Sequence, residues 1–161
     1  MHAASVTLRP ETAEDIPFLR DLFLSTKDEN EGWRDLDPSQ RTSLLESQFE
    51  FQYKQYHSAY PGAWHTIITV DGKPAGRLYV WKTHEQLRII DISLLPEYRQ
   101  HGIGSKLIGQ IKMEAAQSKL PLRLMVHNTS SARDLYKRLG LREVSRDDVY
   151  ALMEWNPEEL P

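Results

Sequence analysis

Cysteine is absent from all 161 residues. That excludes disulfides, thiolate zinc sites, iron–sulfur clusters and a cysteine nucleophile, so the fold must rest on packing and the chemistry on oxygen and nitrogen groups. No stretch approaches the ~18 apolar residues of a membrane span. Met1 to Arg9 also lacks the basic start and apolar core of a signal peptide, and the expectation is a cytoplasmic protein with no membrane partner. Charge of one sign is equally scarce. With 20 Lys+Arg against 23 Asp+Glu the net charge is −3, which leaves no overall basic footprint for nucleic acid. The six histidines show no ligand spacing, and His84-Glu85 is not a zinc motif because Arg88 stands where the second histidine would be, so no metal is expected. Repeats, linkers and low-complexity segments are missing too. What is present is 40% hydrophobic residues. A domain of this size buries roughly 68–70% of its unfolded surface, so residues 1–161 are read as one domain.

Val6-Thr7-Leu8-Arg9 alternates apolar and polar before Pro10, a short first strand. Thr12 and Asp15 have capping-box spacing, with Asp15 as an alternative cap, ahead of an apolar helix face at Ile16, Leu19, Leu22 and Phe23 that should end near Ser25. Asp37-Pro38 starts a second helix, whose bulky face at Leu45, Phe49, Tyr53 and Tyr56 runs to the turn Tyr60-Pro61-Gly62. That face is read as core in preference to a substrate cage. Trp64–Val70 and Ala75–Trp81 are strand-like, and Asp71-Gly72 between them is a hairpin signal because both residues accept positive φ. Leu87–Leu95 is almost continuously apolar, which predicts a central strand buried on both faces and stopped by Pro96. A third helix follows at Ile103–Ala115, a fifth strand at Leu122–Val126, a fourth helix at Ser130–Leu139 ended by Gly140, and two strands near Arg142–Val144 and Val149–Trp155. The order βααβββαβαββ is that of one mixed α/β domain.

Two glycines open the third helix directly after the buried strand, in Arg99-Gln100-His101-Gly102-Ile103-Gly104-Ser105. Glycine lets the backbone approach a ligand closely, and the unpaired N–H groups of a first helical turn suit phosphate. A tight strand-to-helix turn alone would explain both glycines equally well. A dinucleotide fingerprint needs a third glycine where Leu107 stands, and a P-loop needs Gly-Lys-Ser/Thr where Ser105 precedes Lys106, so both nucleotide motifs fail. The match is to Arg/Gln-x-x-Gly-x-Gly. With Leu8-Arg9-Pro10, the Asp71-Gly72 hairpin, Pro96-Glu97-Tyr98-Arg99 and the run from Asn128 through Tyr136 to Gly140 in order, the chain resembles the GNAT superfamily of acyl-CoA-dependent N-acetyltransferases.

The resemblance implies a mixed central sheet, splayed between strands four and five, with helices on both faces. It implies acetyl-CoA or coenzyme A as cosubstrate, its pyrophosphate held by backbone N–H groups from Arg99 through Gln100, His101, Gly102, Ile103 and Gly104 to Ser105. Main-chain groups near Leu94 and Leu95 would pair with the pantetheine arm, and the Leu94 N–H would stabilise the oxyanion. Gln100 and His101 depart from the small and basic residues often found in such a turn. Tyr136 occupies the family's general-acid position, since a phenol of pKa about 10 can protonate a thiolate. Asn128 would bond the pantetheine, order a water or cap the fourth helix. Asp91, a carboxylate inside the apolar strand, is either general base or structural anchor, its pKa raised by burial or held down by a partner. His84 and Glu85 read as a solvated turn. The expected partner is a small primary amine, with a peptide acceptor and a non-catalytic acyl-CoA-binding module as alternatives, and a homodimer is compatible. Five acids against two bases around Trp33, from Lys27 to Asp37, fit either a wall for a cationic amine or a solvated acidic loop.

Overall fold

The computed structural model describes residues 4–27 and 35–159. The chain divides into two compact units, Met1–Leu78 with Ser93–Arg99, and Tyr79–Ile92 with Gln100–Pro161.

In the first unit β1 (Val6–Pro10) lies antiparallel to β2 (Trp64–Val70), from Val6↔Val70 to Pro10↔Thr66. Just past β1, the carboxylate of Asp15, itself 6% exposed, accepts both arms of the Arg9 guanidinium at 2.9 and 2.7 Å and the Thr12 N–H at 2.8 Å. Those bonds, the Arg9 pair first, hold Asp15 below the usual carboxylate range against the opposing effect of burial. Helix α1 (Ile16–Lys27) follows, then α2 (Pro38–Ser58), where Asp37 accepts the Gln40 N–H at 2.9 Å and proline takes the first helical position as its spacing predicts. Their apolar faces meet at Leu19, Phe23, Leu45 and Phe49 over Ile67 of β2, with the Phe23 and Phe49 rings 5.8 Å apart. Asp71 and Gly72 have φ of 51° and 82°, the mirror-image turn expected between β2 and β3 (Lys73–Lys82).

In the second unit β4 (Leu87–Leu94, its last two residues in the first unit) runs parallel to β5 (Leu122–His127) through Leu87↔Leu122, Arg88↔Arg123 and Ile89↔Leu124. Among the described residues no further position of the two strands is paired. This corrects the expectation of a strand buried on both faces: Leu87 and Ile89 are buried, whereas residues 90–94 are half-buried because their neighbour has departed. Helix α3 (Ile103–Ser118) buries Ile103, Leu107, Ile108, Ile111 and Ala115 at helical spacing. Helix α4 (Ala132–Arg138) and strands β6 (Arg142–Arg146) and β7 (Tyr150–Trp155) complete the order, β7 pairing antiparallel with both β5 and β6. The resulting mixed sheet has seven strands in the order β1-β2-β3-β4-β5-β7-β6. Among the described residues no helix is long and apolar enough to cross a membrane.

Candidate active site

The turn into α3 is built on backbone conformation. Gln100 has φ of 64° and Gly102 φ of 79°, both left-handed, and α3 begins at Ile103 with no side chain of the described residues capping it. A left-handed glutamine costs roughly 1–2 kcal/mol, so surrounding structure must impose it. The first helical bond runs from the Lys106 N–H to the Gly102 carbonyl at 3.0 Å; among the described residues the amides of Gln100, His101, Gly102, Ile103, Gly104 and Ser105 meet no acceptor. Alternating backbone hands turn consecutive amides into one concavity, and the dipole of a helix N-terminus favours negative charge there. Apart from its chain neighbours and its own helix, a Cβ added at Gly104 would meet nothing within 4 Å among the described residues, so the space beside this glycine is open. Only the amide of Ile103 belongs to the turn, its side chain being core. The Arg99 N–H already donates to Pro96 at 3.2 Å, which corrects the expected run: it begins at Gln100.

Tyr136 of α4 is 9% exposed. Burial first, and the negative charge of Asp91 second, push its phenol up to about 12, so it holds its proton at neutral pH. No hydrogen bond engages its hydroxyl among the described residues. Asp91 is half-buried and not the buried carboxylate expected, yet the fold brings its charge to bear on Tyr136. Asn128 is not the helix cap. Ser130 Oγ takes the Ala132 N–H at 3.1 Å, while Asn128 ties the end of β5 to the β6–β7 loop through its Nδ2 on the Asp147 carbonyl (2.9 Å) and its N–H on Val149 (2.8 Å). The Oδ1 of Asn128 is buried and has no partner among the described residues, an acceptor that suits an N–H or a water. Its carbonyl accepts from Arg133 at 3.0 Å, and Arg133 is held in turn by Glu143 at 2.7 Å.

In the first unit the tip of β4 is fixed by three contacts. The Leu95 N–H donates to Ala75 of β3 at 2.8 Å, the Leu95 carbonyl accepts from Tyr98, and Arg99 Nε donates to the Leu94 carbonyl at 2.9 Å. The Leu95 N–H is thus engaged and its carbonyl already accepts one bond, which leaves at most a second lone pair of that carbonyl for the expected pantetheine pair. Along an extended chain successive N–H groups point to opposite edges, so with Leu95 aimed at β3 the Leu94 N–H faces the other way. Gly76 of β3 makes this approach possible: a Cβ there would lie 2.0 Å from the Ser93 carbonyl oxygen and 3.0 Å from Leu94 Cα. A lone glycine inside a strand pattern is the signal from which such an approach could have been expected.

Elsewhere His84 and Glu85 are exposed, as a solvated turn requires. The bulky face of α2 is core at Phe49 and continues as a stack that the sequence did not reveal, in which His57 lies 4.1 Å from the rings of both Tyr53 and His65. His57 Nε2 meets Glu11 at 2.8 Å and its Nδ1 meets the Tyr53 carbonyl at 2.6 Å, while burial, and then His57, lower the pKa of His65. Of the acidic segment read as an acceptor wall, residues 28–34 with Trp33 lie outside the described residues.

Residues 61–143 match the family model described as an acetyltransferase (GNAT) domain. The thialysine N-epsilon-acetyltransferase of Bos taurus is 29% identical over 108 residues, which cover 58% of this chain and 62% of the relative; the chain thus spans about three-fifths of that protein's length. Two solved structures share the fold. The PaiA N-acetyltransferase of Thermoplasma acidophilum in complex with coenzyme A superimposes with a TM-score of 0.70 at 19% identity, over 94% of this chain and 99% of the other. An acetyltransferase from Thermus thermophilus gives a TM-score of 0.70 at 16% identity, over 97% and 99%. With half of its length inside the family model, and with the glycine turn, the shortened parallel pairing and the buried tyrosine in family order, this chain belongs to the GNAT acetyltransferase family.

Proposed function

We propose that residues 1–161 form one catalytic domain that transfers an acetyl group from acetyl-CoA directly to a small primary amine. The observation that carries this is the run of amides from Gln100 to Ser105 around left-handed Gly102 that meet no acceptor among the described residues, an arrangement that suits an anion such as a pyrophosphate. The name of the bovine relative, an acetyltransferase of the thialysine side-chain amine, supports an unhindered primary amine as acceptor.

The reaction follows from charge. An amine of pKa near 10.4 is almost wholly protonated at neutral pH, so a proton must leave before its lone pair can attack the thioester carbon. Asp91 is the carboxylate we assign to that proton, directly or through a water. Attack converts the carbonyl to an oxyanion, for which the Leu94 N–H is the donor. Collapse re-forms the carbonyl and breaks the carbon–sulfur bond, and the electron pair leaves on the coenzyme sulfur, to which Tyr136 offers its proton. Asn128 Oδ1 is an acceptor for a pantetheine N–H or an ordered water.

Thermal unfolding tests the assignment. Acetyl-CoA at a hundredfold excess over its Kd should add about 2.7 kcal/mol of stability, and NAD and ATP should add none. A panel of primary amines and peptides, read as thiol release, then identifies the acceptor. Equal stabilisation by NAD, or binding of acetyl-CoA with no thiol release on any acceptor, overturns the proposal.

A further inference from the structure

The peptide unit between Leu94 and Leu95 is bonded at both ends, its carbonyl by Arg99 Nε at 2.9 Å and its N–H by Ala75 at 2.8 Å. Two opposed bonds fix the plane of that unit. That unit meets the one carrying the Leu94 N–H at the Leu94 Cα, so pinning it narrows the range through which the Leu94 N–H can turn. The bond from Arg99 is charge-assisted and half-buried, so it is stronger than a neutral one and harder for water to replace. The Ser93 carbonyl, seated against Gly76, holds the preceding unit. Arg99 also opens the phosphate-binding motif, where a cation would ordinarily be read as a phosphate ligand. Its side chain is instead turned back onto the strand.

We propose that Arg99 is a positioning residue for acetyl transfer, aiming the Leu94 N–H at the thioester oxygen through the Leu94 carbonyl instead of binding the coenzyme phosphates. This rests on the reading of Leu94 as oxyanion donor.

Isotope-edited infrared spectroscopy of bound [1-13C]acetyl-CoA tests it without an acceptor, because a hydrogen bond to the thioester oxygen lowers its carbonyl stretch. The wild-type protein should show the lowered stretch. Arg99→Met and Arg99→Gln, made together so that one reports in a folded protein, should lose at least about half of the shift while Kd for acetyl-CoA moves by less than about threefold. Arg99→Lys, which keeps a charged donor, should restore part of it. An undiminished shift in the folded Met or Gln variant overturns the proposal. So does a rise in Kd beyond about tenfold, which marks a direct phosphate contact. A wild-type protein that binds acetyl-CoA with no lowered stretch defeats the underlying reading of Leu94 instead, so the two failures are distinct.

Discussion

Replacing Tyr136 by phenylalanine deletes one oxygen from a ring that is 9% exposed and leaves its packing in place. The phenol is pushed from about 10 in an unfolded chain up to about 12 in the folded one, by burial and by Asp91. A folded pKa above the unfolded one means that the folded state holds its proton longer. Below pH 10 both states are protonated and the contribution to stability is fully present. Between about pH 10 and 12 the unfolded chain has lost its proton while the folded chain has not, so the wild-type protein loses stability as pH rises, by about 1 kcal/mol at pH 11 and about 3 kcal/mol once the folded pKa is passed. Tyr136→Phe lacks this loss. Urea unfolding of both proteins at pH 8, 10 and 11 gives the difference directly, and all other titrating groups cancel in it. Parallel pH dependences would refute the raised pKa. The same number bears on catalysis. Against a thiol near 8.5, a phenol near 12 gives up its proton uphill, at a cost of about 5 kcal/mol. On the proposed mechanism Tyr136 would act first as a hydrogen-bond donor to the developing thiolate, with full transfer only where exclusion of water raises the sulfur's affinity for protons as well. The single-turnover rate should fall by about 10²-fold in Tyr136→Phe, the lower end for a positioned acid, with acetyl-CoA affinity kept. An unchanged rate removes Tyr136 from the chemistry.

Three further perturbations follow from the geometry. Gly104→Val adds carbon where, apart from the chain neighbours and the helix itself, the described residues leave nothing within 4 Å, so the fold should persist while calorimetry records acetyl-CoA affinity weakened by at least about tenfold; unchanged affinity would place the coenzyme elsewhere. Gly76→Ala forces a Cβ within 2.0 Å of the Ser93 carbonyl, which should cost about 1–3 kcal/mol in melting experiments and lower turnover beyond that loss, because the displaced backbone is that of Leu94. Asp15→Asn should cost about 2 kcal/mol at pH 7 by chemical denaturation, the worth of charge-assisted bonds to Arg9. The Asp15 pKa is lowered in the fold, so its stabilisation is present above the unfolded carboxylate range and is lost as pH falls through the folded value, and the acid limb of the wild-type stability curve should be the steeper one.

Elements whose signal is periodic were legible from the residues. The apolar spacing of Ile103, Leu107, Ile108, Ile111 and Ala115, the Asp37-Pro38 start and the Asp71-Gly72 turn all act within a few residues, and their positions hold. The glycine turn was legible as a turn; that its amides begin at Gln100 depends on a bond to Pro96 that no composition reveals. What the residues alone do not disclose is contact between remote segments. Arg9 bonding Asp15 follows from how the chain bends after β1, Glu11 reaches His57 across 46 residues, and Gly76 accepts the Ser93 carbonyl because β3 and β4 are neighbours. Asp91 illustrates the same limit in another form: an apolar stretch around a carboxylate implies burial, but the early end of the β4–β5 pairing leaves it half-buried.

The pairing of β1 with β2 has a consequence for how the chain reaches its fold. β2 and β3 are joined by two residues, and a hairpin of that kind closes in microseconds. Thr7 and Thr69, whose hydroxyls are bonded across β1 and β2, stand 62 residues apart. Closing a loop of that size carries a large entropic cost before any contact offsets it, and such pairings form slowly. The hairpin is thus expected to assemble first and to present β2 as an open edge until the N-terminal strand arrives, with α1 and α2 already made between them. On the ribosome the delay is stricter still, for Val6 has no partner until Val70 has been synthesised.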